Sequence, residues 1–223
     1  MNRYHATTLA ERREVELEQH QGRVLAWASL LSTVVGTHFW EVGLDNSTLG
    51  VTLLTGFVHD VLNEYKPMKR TCGPIFELTK DLDPTRPLEW CSMDLYNEVC
   101  DWIEKNIGPA SIRKAGTAIG SRVYDMIVSQ GGLTAPSPLT MLQALRHMAN
   151  EVAIKDPKKR GWEILDSSNA SVLMRRTQTF NCILQEGLLV SLVERTGVAE
   201  PDVEHVHCVR RGDEFCDYKL TWL

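Results

Sequence analysis

Two cysteines near the end of the chain lie on either side of a turn and could bind a metal ion together. Cys208 and Cys216 are eight positions apart and symmetric about Gly212, in the segment "VEHVHCVRRGDEFCDYKLTW" at 203–222. In a β-hairpin with that symmetry they face each other, and directly opposed residues have β-carbons about 4.5–5.5 Å apart. Two such thiolates can supply two of the four ligands of a tetrahedral zinc ion, at Zn–S distances of about 2.3 Å.

The other two ligands of such a site also have candidates. Cys182 lies in the predicted helix before the hairpin, and either His205 or His207 could be the fourth ligand. Both histidines are an odd number of residues from Cys208, so a regular strand directs them to its other face. A β-bulge or a late start of the strand would bring His205 back. The spacing alone leaves open a metal site, a disulfide or redox pair, and buried thiols that only fill space.

The composition is that of an ordinary globular protein and argues against some partners. The chain has 223 residues, of which 43% are hydrophobic and 24% charged, with a net charge of −5. This acidic balance, with one short basic run at 155–160, argues against binding of nucleic acid through its phosphates. The most apolar run, 24–35, is shorter than the roughly twenty residues that span a bilayer, and no signal-peptide pattern is present. We expect a cytoplasmic protein without a membrane span, whose cysteines are thiols or metal ligands.

Hydrophobic periodicity predicts a series of helices followed or interrupted by two hairpins. The predicted helices cover residues 8–35, 52–65, 92–107, 111–129, 137–152 and about 179–196. One hairpin is predicted in 161–176 around a Ser-Ser-Asn turn, and the other pairs 202–210 with 214–222. This order predicts an α+β fold, with a mainly antiparallel sheet of two hairpins packed against a helical layer and extra N-terminal helices.

Two glycines interrupt the apolar stripe of the predicted helix 111–129. Gly116 and Gly120 are four residues apart and therefore on one face of that helix. Each costs about 1 kcal/mol in helix propensity relative to alanine. We expect a compensating gain from close approach of another backbone to this face.

The last hairpin and the glycine helix together resemble a known superfamily. The segment "HCVRRGDEFCDYKLTW", preceded by "CILQEGLL", resembles the C-terminal half of the 4-vinyl reductase family. "IRKAGTAIGSRVYDMI" resembles a helix of the same superfamily, which includes haem-NO-binding domains and Golgi transport-particle subunits. The resemblance covers about 88–223. It implies a ligand-binding domain. We place the start of this domain within the proline-rich segment 66–88, which gives a ligand-binding domain at 71–223 and a helical extension at 1–70. The extension would serve dimerisation or signalling.

Within this superfamily, the effector domains of aromatic-sensing activators imply which residues hold the metal. Their zinc ligands correspond to Cys182, His205, Cys208 and Cys216 of this sequence. His205 stands where those domains have a carboxylate, but histidine also binds zinc. A site with four protein ligands has no open position for a catalytic water, so the resemblance implies a structural zinc ion.

The same resemblance implies an apolar pocket for a small molecule. Trp102, Tyr124, His147 and Trp162 are its predicted lining, with the alternative that they only fill the core. Haem-NO-binding relatives hold the haem propionates with a Tyr-x-Ser-x-Arg motif, which does not occur here. Haem or another tetrapyrrole is therefore an alternative ligand without a motif in its favour.

These observations favour a sensing or binding domain for a small apolar or aromatic molecule. The sequence contains no nucleophile elbow, phosphate loop or dinucleotide fingerprint, which argues against an enzyme without deciding the matter. The alternatives are an accessory enzyme of tetrapyrrole vinyl reduction and a scaffold subunit that resembles the transport-particle proteins. The expected partners are the small ligand, a second copy of the chain in a homodimer, and a signalling protein.

Overall fold

The computed structural model describes residues 48–178 and 180–223, so the predicted helix 8–35 and its role in dimerisation or signalling lie outside them. The helices within these residues are α1 (Thr55–Tyr65), α2 (Gly73–Leu78), α3 (Met93–Asn106), α4 (Pro109–Gly131), α5 (Pro138–His147) and α6 (Cys182–Glu194). The strands are β1 (Thr52–Leu54), β2 (Trp90–Ser92), β3 (Ile154–Lys155), β4 (Trp162–Ser167), β5 (Ser171–Arg176), β6 (Asp202–His207) and β7 (Cys216–Thr221). None of these helices is both long and apolar enough to cross a membrane.

The strands form two antiparallel sheets. The larger has the order β4-β5-β7-β6, so the two predicted hairpins lie side by side and β5 pairs with β7 in the middle. The smaller has the order β2-β1-β3. The predicted α+β class with an antiparallel sheet of two hairpins is confirmed. The smaller sheet was not predicted, because strands of two or three residues are too short to show alternation.

The larger sheet buries one face against the helices. Alternate residues of β5 are buried, ending with Arg176, and Cys216, Tyr218 and Leu220 are buried on β7. Arg176 lies directly opposite Cys216 in the ladder. Because successive strand residues point to opposite faces, these side chains share the face that α6 covers.

Side-chain caps and prolines determine where the long helices begin. Ser92 caps α3, since its Oγ accepts a hydrogen bond from the backbone N of Leu95 at 3.2 Å. The helix predicted at 111–129 begins two residues earlier than expected. That helix, α4, begins at Pro109, whose fixed φ suits the first helical position.

Helices α4 and α6 pack closely through glycines, which confirms the expected approach of another backbone. A β-carbon added at Gly116 would lie 2.1 Å from the carbonyl oxygen of Leu184, and one at Gly120 would lie 2.5 Å from that of Leu188. In return, a β-carbon at Gly187 on α6 would lie 2.1 Å from the carbonyl oxygen of Arg113 on α4. The three glycines therefore fix the distance between the two helices.

The described part of the predicted N-terminal extension contacts the rest of the chain. β1 pairs with β3, and Arg122 on α4 forms ion pairs with Asp60 and Glu64 on α1, at 3.1 and 2.9 Å. Residues 52–65 thus share a sheet and ion pairs with the predicted ligand-binding domain. The division of the chain at residue 70 stays a prediction.

Candidate metal centre and adjoining cavity

The structure brings the four predicted metal ligands together. The Sγ atom of Cys182 lies 3.7 Å from that of Cys208 and 3.6 Å from that of Cys216. One ligand atom from each of the three cysteines and from His205 lies within 4.8 Å of the others. All six cysteines of the described residues are free thiols. Sulfurs bound to one tetrahedral zinc ion at about 2.3 Å would be about 3.8 Å apart, so the observed spacing suits such an ion.

A β-bulge brings His205 to this cluster. His207 pairs with Asp217, but His205 pairs with Tyr218, so the register shifts by one residue between the two histidines. This shift places His205 on the same face as Cys216, in the way that alternation alone forbids. His207 points away and accepts or donates a hydrogen bond with Asp217 at 2.9 Å. His205 is therefore the histidine of the cluster.

Neighbouring side chains fix the orientation of the His205 ring and leave one ring nitrogen without a hydrogen bond in the described part of the chain. Its Nδ1 faces Oε1 of Glu186 at 3.3 Å, and the ring stacks on Tyr218 with centroids 4.4 Å apart. Its Nε2 is buried and has no hydrogen-bond partner within 48–178 and 180–223. A carboxylate on one ring nitrogen is the usual support of a metal-bound histidine, because it fixes the tautomer and leaves the other nitrogen as the ligand. The orphaned Nε2 thus fits a metal ion.

The thiols of Cys182 and Cys216 and the imidazole of His205 shift one another's pKa values. The hydrogen bond to Cys216 and burial raise the pKa of Cys182 far above its usual value. The same bond, with help from His205 and against burial, lowers the pKa of Cys216 to about 4. Burial lowers the pKa of His205, but Cys216 and Glu186 outweigh it and raise that pKa to about 9. A metal ion must displace the protons of Cys182 and His205, so its affinity increases as the pH rises toward about 9.

An aspartate closes the turn before β7. The carboxylate of Asp213 accepts a hydrogen bond from the backbone N of Cys208 at 2.6 Å. Gly212, just before it, has a φ of 94°, in the left-handed region that favours glycine. This Gly-Asp pair holds Cys208 beyond the end of β6, facing Cys216.

Glu186 was also missed, although its spacing from Cys182 was a usable signal. The two residues are four apart on α6 and therefore on one face of that helix. We predict that Glu186→Gln lowers zinc affinity by about tenfold to a hundredfold, because the neutral amide supports the imidazole less strongly than a carboxylate. Competition with a chromophoric chelator measures the affinity. The control is Glu194→Gln, an exposed residue of the same helix, and equal affinities of the two variants would contradict the role of Glu186.

An apolar cavity adjoins the cluster. Its volume is about 40 Å³, so a bound organic molecule would have to move side chains of the wall apart. The lining residues are Leu53, Phe57, Tyr96, Val123, Leu145, Met148, Ala149, Ala153, Ile154, Trp162, Arg176, Phe180, Gln185 and Leu188. α6 connects the two places, because it carries Cys182 of the cluster and both Gln185 and Leu188 of the cavity wall.

Of the four predicted ligand-binding residues, Trp162 lies on the wall of this cavity. Tyr124 and His147 are immediate neighbours of the lining residues Val123 and Met148. Since successive helical residues point about 100° apart, the neighbours face elsewhere, and the ring of Tyr124 lies under Arg195. Trp102 follows the lining residue Tyr96 by six positions on α3, which places it on another side of that helix. The structure does not place Trp102, Tyr124 or His147 at this cavity.

The cavity does not suit haem. Its lining, within the described residues, contains no histidine or cysteine to bind the iron. Tyr96 is there, but burial raises the pKa of its hydroxyl well above the usual value, so it stays protonated and is a poor ligand. The residues present thus do not fit haem.

The fold and the cluster together define an α+β domain in which a Cys/His centre joins a helix to a hairpin beside an apolar cavity. Solved structures of H-NOX proteins, the haem-NO-binding class, share this fold. One is a mutant from K. algicida in the Fe(II) unliganded state, with a TM-score of 0.53 and 10% identity over 77% of this chain and 97% of that chain. Another, from S. oneidensis in the Fe(II)NO ligation state, has a TM-score of 0.53 and 12% identity over 75% of this chain and 98% of that chain.

A third structure is similar at a lower level. It is subunit 3 of a trafficking protein particle complex from Naegleria fowleri, covalently bound to palmitic acid, with a TM-score of 0.38 and 12% identity over 74% of this chain and 96% of that chain. No protein-family model and no curated protein matches the sequence. The likeness to the two H-NOX structures confirms the fold that the resemblance implied. At these identities the likeness assigns no ligand.

Proposed function

We propose that this protein binds a small apolar or aromatic molecule in the cavity and acts as a sensor, with a structural zinc ion at Cys182, His205, Cys208 and Cys216. Three thiols and one imidazole form a closed set of four ligands, which is typical of structural rather than catalytic zinc. The cavity combines apolar walls with a few buried polar groups, as small-molecule sites do.

This proposal rests on one observation: the same helix and the same pair of strands carry residues of both the cluster and the cavity. α6 presents Cys182 to the cluster and Leu188 to the cavity. In the sheet, Arg176 on β5 lines the cavity, and Cys216, opposite it on β7, belongs to the cluster. A zinc ion that joins α6 to β7 therefore also fixes two walls of the cavity. The ion would hold the binding site in shape without touching the ligand.

Native mass spectrometry with metal analysis tests both parts of the proposal. We expect one zinc per chain and, on protein purified without added ligand, a further mass excess from a retained organic molecule. An Ala149→Leu variant, which places three more carbons in the cavity wall, is expected to lose that excess and keep the zinc. Ala110→Leu, at an exposed helical position, is the control and should keep both.

Two results would contradict this function. The first is a wild-type protein that carries no organic mass and gives no saturable change in tryptophan fluorescence with a panel of small aromatic compounds. The second is an Ala149→Leu variant that retains ligand as well as the wild type. Either would leave the cavity as a packing defect of the core.

A further inference from the structure

Arg176 is the one charged side chain on the cavity wall within the described residues. It is the last residue of β5 and is only 3% exposed. Its side chain points to the same buried face of the strand as those of Val172 and Met174. An arginine almost never occupies such a position unless it is paired, because an unpaired buried charge strongly destabilises the folded state. The partners of this guanidinium therefore determine its role.

The protein covers the flat faces of the guanidinium but not all of its donors. Its central carbon lies 4.8 Å from the ring centroid of Trp162 and 4.1 Å from that of Phe180. One terminal nitrogen donates to Oε1 of Gln178 at 2.7 Å. The Nε atom is buried and has no hydrogen-bond partner in the described part of the chain. Stacking offsets part of the cost of burial but leaves that donor open.

No carboxylate of residues 48–178 and 180–223 forms an ion pair with Arg176. Asp156 is the buried acid linked to it, and the link runs through Gln178, whose amide nitrogen donates to Oδ2 of Asp156 at 2.9 Å. The same Oδ2 accepts a hydrogen bond from Nε of Arg160 at 2.9 Å, so Asp156 already has a cationic partner. Burial lowers the pKa of Arg176 to about 9, which still leaves it charged at neutral pH.

We propose that the ligand of this cavity is an apolar monocarboxylate, whose carboxylate pairs with Arg176 and whose hydrocarbon or aromatic body lies against the apolar walls. A guanidinium binds a carboxylate through two parallel N–H···O bonds, and this pair would satisfy the open Nε. Gln185, which is 4% exposed on the same wall, can donate a further hydrogen bond from its amide. This inference deepens the proposed function and rests on it.

Arg176 has a second candidate role, because it lies opposite Cys216. Three thiolates and a neutral imidazole on Zn²⁺ carry a net charge of −1, which a nearby guanidinium could balance. No hydrogen bond joins Arg176 to a cysteine within the described residues, whereas Cys182 contacts both other thiols. The structure therefore favours the cavity as the place where Arg176 acts, and the experiment separates the two roles.

The experiment compares matched pairs of ligands on the zinc-loaded protein by titration calorimetry. The probes are benzoate, phenylacetate, 4-phenylbutyrate and octanoate, each with its neutral primary amide. We expect at least one carboxylate to bind about tenfold or more tightly than its amide. In Arg176→Gln this preference should disappear while the amide binds within about twofold of wild type. Arg176→Lys, which keeps the charge but not the bidentate geometry, should retain part of the preference.

The neighbouring strand residue gives a matched control. Arg175 points to the other face of β5 and pairs with Asp217 at 2.8 Å, so Arg175→Gln should leave the preference unchanged. Amides that bind as tightly as their carboxylates would overturn this inference and leave the proposed function standing. The inference would also be overturned if the Arg176→Gln or Arg176→Lys variant lost its zinc but kept the full preference for carboxylates over amides. If no member of any pair binds, the proposed function fails together with the inference.

Discussion

A Cys182→Ser variant is expected to contain no zinc and to unfold at a temperature lower by about 10 °C. Serine is a poor zinc ligand at neutral pH, and three remaining ligands would hold the ion weakly. An ion present at about a thousand times its dissociation constant stabilises the folded state by about 4 kcal/mol, and for a chain of this size about 1 kcal/mol shifts the midpoint by 2–4 °C. Metal analysis and a thermal melt of the same preparation measure the two effects.

A second buried cysteine provides the control for this variant. The thiol of Cys91 lies in the smaller sheet, apart from the cluster, and donates to the carbonyl oxygen of Leu53. A serine hydroxyl can make the same hydrogen bond, so Cys91→Ser should keep one zinc per chain and most of the stability. If Cys182→Ser and Cys91→Ser melt alike and contain equal zinc, the cluster is a set of space-filling thiols.

The hairpin and the cluster show which features of the site can be predicted from the sequence and which cannot. The symmetry of Cys208 and Cys216 about Gly212 predicts their facing positions, and the resemblance implies Cys182 and His205 as their partners. The bulge that brings His205 to the cluster is not visible in the sequence, because one inserted residue leaves no signature in hydrophobic alternation. The elements could therefore be predicted, while their register could not.

The cavity was predicted less well than the cluster. Large aromatic residues on several helices were natural candidates, but which face of each helix meets the sheet depends on how the helices rotate when they pack. Of those candidates Trp162, a strand residue, lies on the wall. Arg176 was a better signal for the cavity, because it is a charged residue at a strand position that alternation predicts to be buried. A charged residue is rarely buried unless it has a partner.

The glycine contacts between α4 and α6 predict the largest destabilisation by a single methyl group. At an open helical position, alanine in place of glycine gains up to about 1 kcal/mol. At Gly116 the new β-carbon would lie 2.1 Å from the carbonyl oxygen of Leu184, which is backbone and cannot rotate away. The two helices must separate, and the loss of packing along their contact outweighs the gain in propensity. We expect Gly116→Ala to cost on the order of 3 kcal/mol, and Gly187→Ala a similar amount.

This prediction depends on contact with the second helix and not on helix propensity, and Gly73 separates the two causes. Gly73 begins α2, has no atom within 4 Å of its added β-carbon, and has an ordinary φ. Gly73→Ala should therefore be neutral or slightly stabilising in chemical denaturation, while Gly116→Ala lowers the midpoint strongly. Because α6 carries Cys182, the Gly116→Ala variant should also bind zinc more weakly. Equal denaturation midpoints for the two variants would mean that α4 and α6 do not touch through this face in solution.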